Sequence, residues 1–340
     1  MKTARSELPT VTVFALGGTI ASTKSSQSEG GVTPQLGAAE LIAAVPQLDE
    51  IAQLTAETFR QTPSGDLSFQ DIVALAAAIE KAREDGASGT VVTQGTDTIE
   101  ETSFALDLLL PPGRPVVVTG AMRNPTLAGA DGPANLLSAV QVASSQAAAG
   151  LGVLVVLNDE IHTARFVRKT HTSSPATFRS ITAGPIGWVT EGQVRVALAP
   201  TGPTPTLVVP QGKPPAVALL TMSLSCDSRL IDSLENLGYQ GLVVEGFGGG
   251  HVPAQLVPAL ERLAARLPVV LASRTGSGET LQQTYGFPGS ERDLLARGLI
   301  AAGFLDGLKA RILLTFLLAE KRDVTTIRET FDNFNGRQPE

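Results

Sequence analysis

The strongest constraint on this chain is a repeated switch of period. Short β-branched runs at 11–16, 89–93, 115–119 and 152–157 alternate with stretches of helical spacing. That alternation predicts βαβ units and a mainly parallel sheet. Between the runs, residues 71–83 place Ile72, Leu75, Ala76 and Ile79 on one helix face. A second helix is expected over 131–149, with Asp131 as its cap and Pro133 in its first turn. Residues 188–197 read as a hairpin turning at Glu191-Gly192.

The pattern breaks at residues 199–215, APTGPTPTLVVPQGKPP, where six prolines and no helical period suggest a linker. Alternation then resumes, with strands expected at 216–221, 241–244 and 268–271. Helices are expected at 228–237, 253–264 and 307–320. The expected architecture is therefore α/β. A larger N-terminal domain over 1–198 and a smaller C-terminal domain over 216–340, both with mainly parallel sheets, are joined by the linker. With 340 residues, 43% of them hydrophobic and 17% charged, there is ample material for two cores.

Charge and cysteine content narrow the function classes. The net charge is −7 and no basic block occurs, which argues against nucleic acid as a partner. The single cysteine, Cys226, rules out an internal disulfide. No apolar run reaches the length of a membrane span. The opening residues lack the apolar core of a secretory signal, so the sequence reads as cytoplasmic, although a removed signal would leave the same picture.

Ligands of open α/β sheets bind beyond the carboxyl ends of the strands, so polar residues there are the candidates. FALGGTIAST (14–23) runs from a strand into Gly17-Gly18-Thr19, a turn that lets a ligand approach the backbone and offers a hydroxyl. It fits an ordinary βα turn equally well, and it lacks the GK[ST] of a phosphate loop. In VVTQGTDTIEET (91–102), Thr98 and Glu101 have capping-box spacing, which leaves Thr96 and Asp97 without a structural requirement. An acid at a helix start is, however, favoured by the helix dipole in any case. TGAMRNPTLAGADGP (119–133) is a long loop that opens on Gly120-Ala121. In ARFVRKTHTSS (164–174), Lys169 is either a solvated strand lysine or, held beside an acid, a base. VVEGFGGGH (243–251) is a glycine-rich turn without the last glycine of a dinucleotide fingerprint. His162, His171 and His251 show no metal-ligand spacing, and no GxSxG elbow is present.

Taken together, LGGTIA (16–21), QGTDTIEET (94–102), GAMR with ADGP (120–123 and 130–133) and LNDEI…RFVRKTHT (157–172) resemble the bacterial-type L-asparaginase family. The order and spacing hold across most of the chain, including VEGFGGGH and ARILL in the second half. The resemblance implies hydrolysis of the side-chain amide of L-asparagine, with some glutaminase activity and no cofactor or metal. It also implies a homotetramer built from tight dimers with sites at the dimer interface.

Residue by residue, Thr19 matches the nucleophilic threonine, and Thr96, Asp97 and Lys169 match a second reactive group. Ser64 matches a serine that holds the substrate's α-carboxylate, and Ala121 a backbone contact to the side-chain amide. Glu279, six residues before Tyr285, matches the glutamate lent by a neighbouring subunit to the α-amine. Three positions depart from the pattern. Residues 22–36 hold no tyrosine, which leaves Tyr285 or another group to activate Thr19; Gly65 stands where many members have glutamine; Gln94 stands where histidine is frequent. These departures keep open a different amide substrate, such as glutamine, or a binding module that has lost turnover.

Overall fold

A computed structural model describes residues 8–24, 32–200, 204–208 and 212–335. The chain divides into two compact units, Met1–Thr206 and Leu207–Glu340. The division falls inside the proline-rich stretch expected as a linker, of which 201–203 and 209–211 lie outside the described residues. Thr204 is held to the first unit. Its hydroxyl donates to Asp107 Oδ2 at 2.8 Å and accepts from Arg165 Nη2 at 2.9 Å.

The first unit is built on an eight-stranded sheet. From edge to edge its strands are Gln193–Val196, Gly187–Thr190, Glu160–Thr163, Val153–Leu157, Val116–Thr119, Gly89–Thr93, Thr10–Ala15 and Gln53–Thr58. The last five run parallel to one another, and the first three pair antiparallel. Both faces of the central strands are covered: Gly89–Thr93, Val116–Thr119 and Val153–Leu157 are buried at every residue. Such strands read as continuous apolar runs, which is why they stand out in the sequence. Numbered along the chain, the parallel strands lie in the order 2-1-3-4-5. The sheet therefore changes direction of growth between Thr10–Ala15 and Gly89–Thr93, and a crevice opens at their carboxyl ends.

The helices follow local signals where those signals are strong. Phe69–Glu84 starts in a reciprocal capping box, with Ser68 Oγ accepting from Asp71 N and Asp71 Oδ2 from Ser68 N at 3.0 Å. The helix expected over 131–149 stops at Ala143 and is followed by a short 3-10 turn, Gln146–Ala148. The hairpin turns where expected: Glu191 and Gly192 have φ of 51° and 72°, the two positive values of a type I′ turn.

The second unit carries a four-stranded parallel sheet in chain order: Val217–Thr221, Gly241–Gly246, Val269–Ser273 and Ile300–Ala301. Gly307–Ala319 is buried over most of its length, and Val324–Phe334 closes the unit on Ile327 and Phe331. The helix expected over 228–237 is only Arg229–Ser233, and turns continue to Gly238 at φ 80°. Both units are thus α/β with mainly parallel sheets. No helix among the described residues is long and apolar enough to cross a membrane.

One buried group links this fold to pH. His162 lies on Glu160–Thr163 with no exposed surface. Its Nδ1 shares a hydrogen bond with Ser180 Oγ at 3.0 Å, and its Nε2 makes no hydrogen bond but lies 3.4 Å from Glu160 Oε2. Burial, helped by the nearby Arg179 guanidinium, lowers its pKa to about 4. The unfolded chain, with a histidine near its ordinary value, takes up this proton first as pH falls. Stability from neutral His162 is complete above about pH 6.5 and is lost between there and about pH 4, on the order of 3 kcal/mol in total. Urea midpoints measured from pH 7.5 to 4 should therefore fall less steeply for His162→Gln than for the wild type.

Candidate functional site

At the crevice, the first strand passes into Gly17 and Gly18, with φ of 99° and 81°. Leu16 N donates to Thr93 O at 2.8 Å, tying this turn to the end of Gly89–Thr93. A Cβ at Gly18 would lie 2.0 Å from Gly95 N, so the two backbones touch. Only glycine meets both the positive φ and the close approach. Thr19 and Thr96, each one residue further on, therefore leave from adjoining stretches of main chain. Thr19 opens the 3-10 turn Thr19–Ala21, which is closed by Ala21 N and Ser22 Oγ donating to Gly18 O at 3.0 and 2.8 Å.

Thr96, Asp97 and Lys169 form one cluster. Lys169 sits on the short strand Arg168–Lys169, paired with Phe178–Arg179. Its Nζ donates to Thr96 Oγ1 at 2.8 Å and to Asp97 Oδ1 at 2.7 Å. Its backbone N donates to Glu100 Oε2 at 3.2 Å. The lysine side chain is only 15% exposed, whereas that of Asp97 is 80% exposed. A solvated strand lysine would be neither so covered nor so specifically bonded. The ammonium is held between a hydroxyl and a carboxylate that faces outward.

Thr98 departs from its expected role. It occupies the N-cap position of Ile99–Leu109, but its side chain makes no capping hydrogen bond. Its hydroxyl donates instead to Ser64 O at 3.1 Å. The capping spacing is present in the sequence, and a tertiary acceptor has displaced the local one. Ser64 opens the 3-10 turn Ser64–Asp66, and its own hydroxyl is buried without a hydrogen-bond partner. It packs against Gly95, where a Cβ would come within 2.8 Å of Ser64 Oγ. Gly65 is exposed, and a Cβ there would meet nothing within 4 Å.

The end of Val116–Thr119 contributes Gly120 and Ala121. A Cβ on Gly120 would lie 2.6 Å from Gln94 O, so this turn also packs against the QGTDT segment. Ala121 is fully buried, and Asn135 Nδ2 donates to Gly120 O at 2.9 Å. Asn135 Oδ1 accepts from Asn158 N at 3.0 Å, so one buried amide spans two strand ends. Asp131 stands at the N-cap of Gly132–Ala143 without capping it. Its carboxylate takes Met122 N at 3.0 Å and Arg123 N at 2.8 Å, closing the loop that carries Ala121. Neither the Asn135 bridge nor the use of Asp131 was anticipated. Asn135 and Ser138 are the buried polar side chains of that helix.

Glu279 and Tyr285 lie in the second unit. Glu279 is exposed, and Tyr285 is 44% exposed, with its ring 4.9 Å from that of His251. His251 Nε2 is 3.1 Å from Glu291 Oε2, and Glu291 Oε1 accepts from Thr284 N and Tyr285 N at 2.8 and 2.7 Å. His251 thus has a local structural use at the end of the glycine-rich turn. Among the described residues, no group of three or more His, Cys, Asp or Glu side chains is arranged to hold a metal ion. Residues 25–31, within the stretch that lacks a tyrosine, lie outside the described residues.

The fold and this crevice define a two-unit α/β protein with hydroxyls, a lysine and a carboxylate at a topological switch point. Residues 10–201 match the family model "Asparaginase, N-terminal", and residues 216–331 match "Glutaminase/Asparaginase C-terminal domain". A probable periplasmic L-asparaginase of Haemophilus influenzae is 37% identical, over 96% of this chain and 94% of that protein. L-asparaginase 2 of Escherichia coli is 35% identical, over the same shares. A probable cytoplasmic L-asparaginase from Campylobacter jejuni superposes with a TM-score of 0.86 at 32% identity, covering 95% of this chain and 99% of that one. The chain belongs to the bacterial-type L-asparaginase family.

The Gly18–Gly95 contact offers a direct check on the site. Gly18→Ala forces a Cβ into the Gly95 backbone at positive φ, with a cost on the order of 3 kcal/mol. A urea midpoint unchanged from wild type would show that the two turns do not touch.

Proposed function

We propose that the protein is an L-asparaginase that hydrolyses the side-chain amide of L-asparagine to L-aspartate and ammonia. Family membership supports the reaction, and the observation that carries the site assignment is the Thr96–Lys169–Asp97 cluster beside the Thr19 turn. In this reading Thr19 Oγ1 attacks the amide carbon, and the C–N bond breaks as ammonia leaves with a proton. Water then attacks the resulting ester, giving aspartate and restoring the hydroxyl. An amide is a poor electrophile and a threonine a weak nucleophile, so each step needs a proton acceptor and donors for the oxyanion. Lys169 Nζ, 2.8 Å from Thr96 Oγ1, takes the proton relayed by Thr96.

The remaining residues fix the substrate. The outward carboxylate of Asp97 receives the α-ammonium, together with Glu279 of a neighbouring copy. Ser64 Oγ, buried and without a partner, receives the α-carboxylate. The Ala121 backbone receives the side-chain amide, and Thr19 is activated by Tyr285 of the neighbouring copy that lends Glu279, or by another group. Charged contacts at both ends of the substrate hold it in line before attack. No cofactor takes part. The domain limits proposed are 1–198 and 216–340 with 199–215 as linker, the assembly is a homotetramer built as a dimer of dimers, and the location is cytoplasmic.

The reaction is tested by ammonia release from pure protein. Thr19→Ala and Thr96→Ala should each lower kcat by about a thousandfold or more. Wild-type turnover in both variants would remove the assignment. Open space at Gly65 bears on affinity. Gly65→Gln should fold normally and lower KM for asparagine by about threefold, because a side-chain amide there can reach the substrate. An unchanged KM would place residue 65 away from the ligand.

A further inference from the structure

Gln94 is fully buried at the end of Gly89–Thr93, and its backbone N donates to Thr119 O at 3.1 Å. It is therefore anchored to the floor of the sheet. Its Nε2 donates to Gly95 O and to Thr98 Oγ1, both at 3.2 Å. Gly95 O can only accept, so the amide nitrogen must face this side, and the orientation of the amide is fixed by the network. With one lone pair occupied by Gln94, the Thr98 hydroxyl turns its proton to Ser64 O at 3.1 Å. Leu67 N donates to the same carbonyl at 3.3 Å. The path Gln94–Thr98–Ser64 thus runs from the sheet to the one residue of this turn whose hydroxyl is buried and unpartnered.

We infer that Gln94 and Thr98 are positioning residues that act through the Ser64 carbonyl to aim the Ser64 hydroxyl at the substrate's α-carboxylate. The inference rests on the proposed reading of Ser64 as the carboxylate contact. The physical argument is one of freedom. Ser64 lies on a short 3-10 turn, which has few hydrogen bonds of its own to hold it. Without the Thr98 donor, the Ser64–Gly65 peptide can rotate, and Gly65, exposed and without neighbours at its Cβ position, offers no steric resistance. Directing a hydroxyl at the α-carboxylate affects ground-state and transition-state binding alike, because that group does not change charge in the reaction. Its loss therefore belongs in KM and leaves kcat nearly untouched.

The experiment uses the full-length protein with Thr98→Val, Thr98→Ser and Gln94→Met. Thr98→Val keeps the shape and removes the donor. It should raise KM for L-asparagine and the calorimetric Kd for L-aspartate together by about tenfold, with kcat within about twofold. Gln94→Met should raise both by about threefold, and Thr98→Ser should restore both. 3-Aminopropanamide is asparagine without its α-carboxylate, so its kcat/KM should be the same in the wild type and Thr98→Val. An aspartate Kd unchanged in Thr98→Val overturns the inference, as does an equal loss on both amides. Absence of ammonia release by the wild type would overturn the functional reading instead. Weaker aspartate binding by Thr98→Val would still uphold the positioning role.

Discussion

The site depends on how closely four strand ends can approach one another. At Gly18 a side chain would strike Gly95 N, at Gly95 it would crowd Ser64 Oγ, and at Gly120 it would strike Gln94 O. These contacts bring the main chain after the first, second, third and fourth parallel strands into one small volume. The 2-1-3-4-5 strand order makes this volume a crevice rather than a covered edge, because the connections leave in opposite directions on either side of it. Thr19, Ser64 and Thr96 are thereby carried on adjoining stretches of main chain.

The sequence made the sheets legible because parallel strands covered on both faces leave a continuous apolar record. Gly89–Thr93 coincides with its expected run, and Thr10–Ala15, Val116–Thr119 and Val153–Leu157 differ from theirs by one residue. The Gln53–Thr58 strand escaped notice for the opposite reason. It is an edge strand, exposed at most of its residues, and QLTAET carries little apolar signal. Helix ends were less legible still, because they depend on partners far along the chain. The type I′ turn at Glu191-Gly192 is the contrasting case, where a purely local requirement for positive φ was enough.

Thr98 and Asp131 show how tertiary structure overrides a local rule. Both stand at helix N-caps, and both are residue types that cap well. Thr98 gives its proton to Ser64 O, and Asp131 accepts from Met122 N and Arg123 N. A cap contributes about 1 kcal/mol to its own helix. The same side chains here order turns that have no repeating hydrogen bonds. Helices as buried as Ile99–Leu109 and Gly132–Ala143 draw most of their stability from packing and can forgo the cap. Motif reading located the right residues at these two positions and assigned them the wrong task.

Buried polar atoms without partners show where the molecule departs from self-sufficiency. Ser64 Oγ, Thr93 Oγ1 and Gln94 Oε1 are all of this kind, and all lie at the carboxyl ends of the parallel strands or on the turn packed against them. Each such atom costs about 1–3 kcal/mol relative to a satisfied one. A core selected for stability alone would have replaced them with apolar groups of similar shape. Arg83 Nε, Thr90 Oγ1, Ser144 Oγ and His162 Nε2 are also unpartnered and lie elsewhere in the first unit, so these three are the ones found at the crevice. The glycine contacts and the Gln94–Thr98–Ser64 hydrogen bonds together hold the surrounding main chain in place.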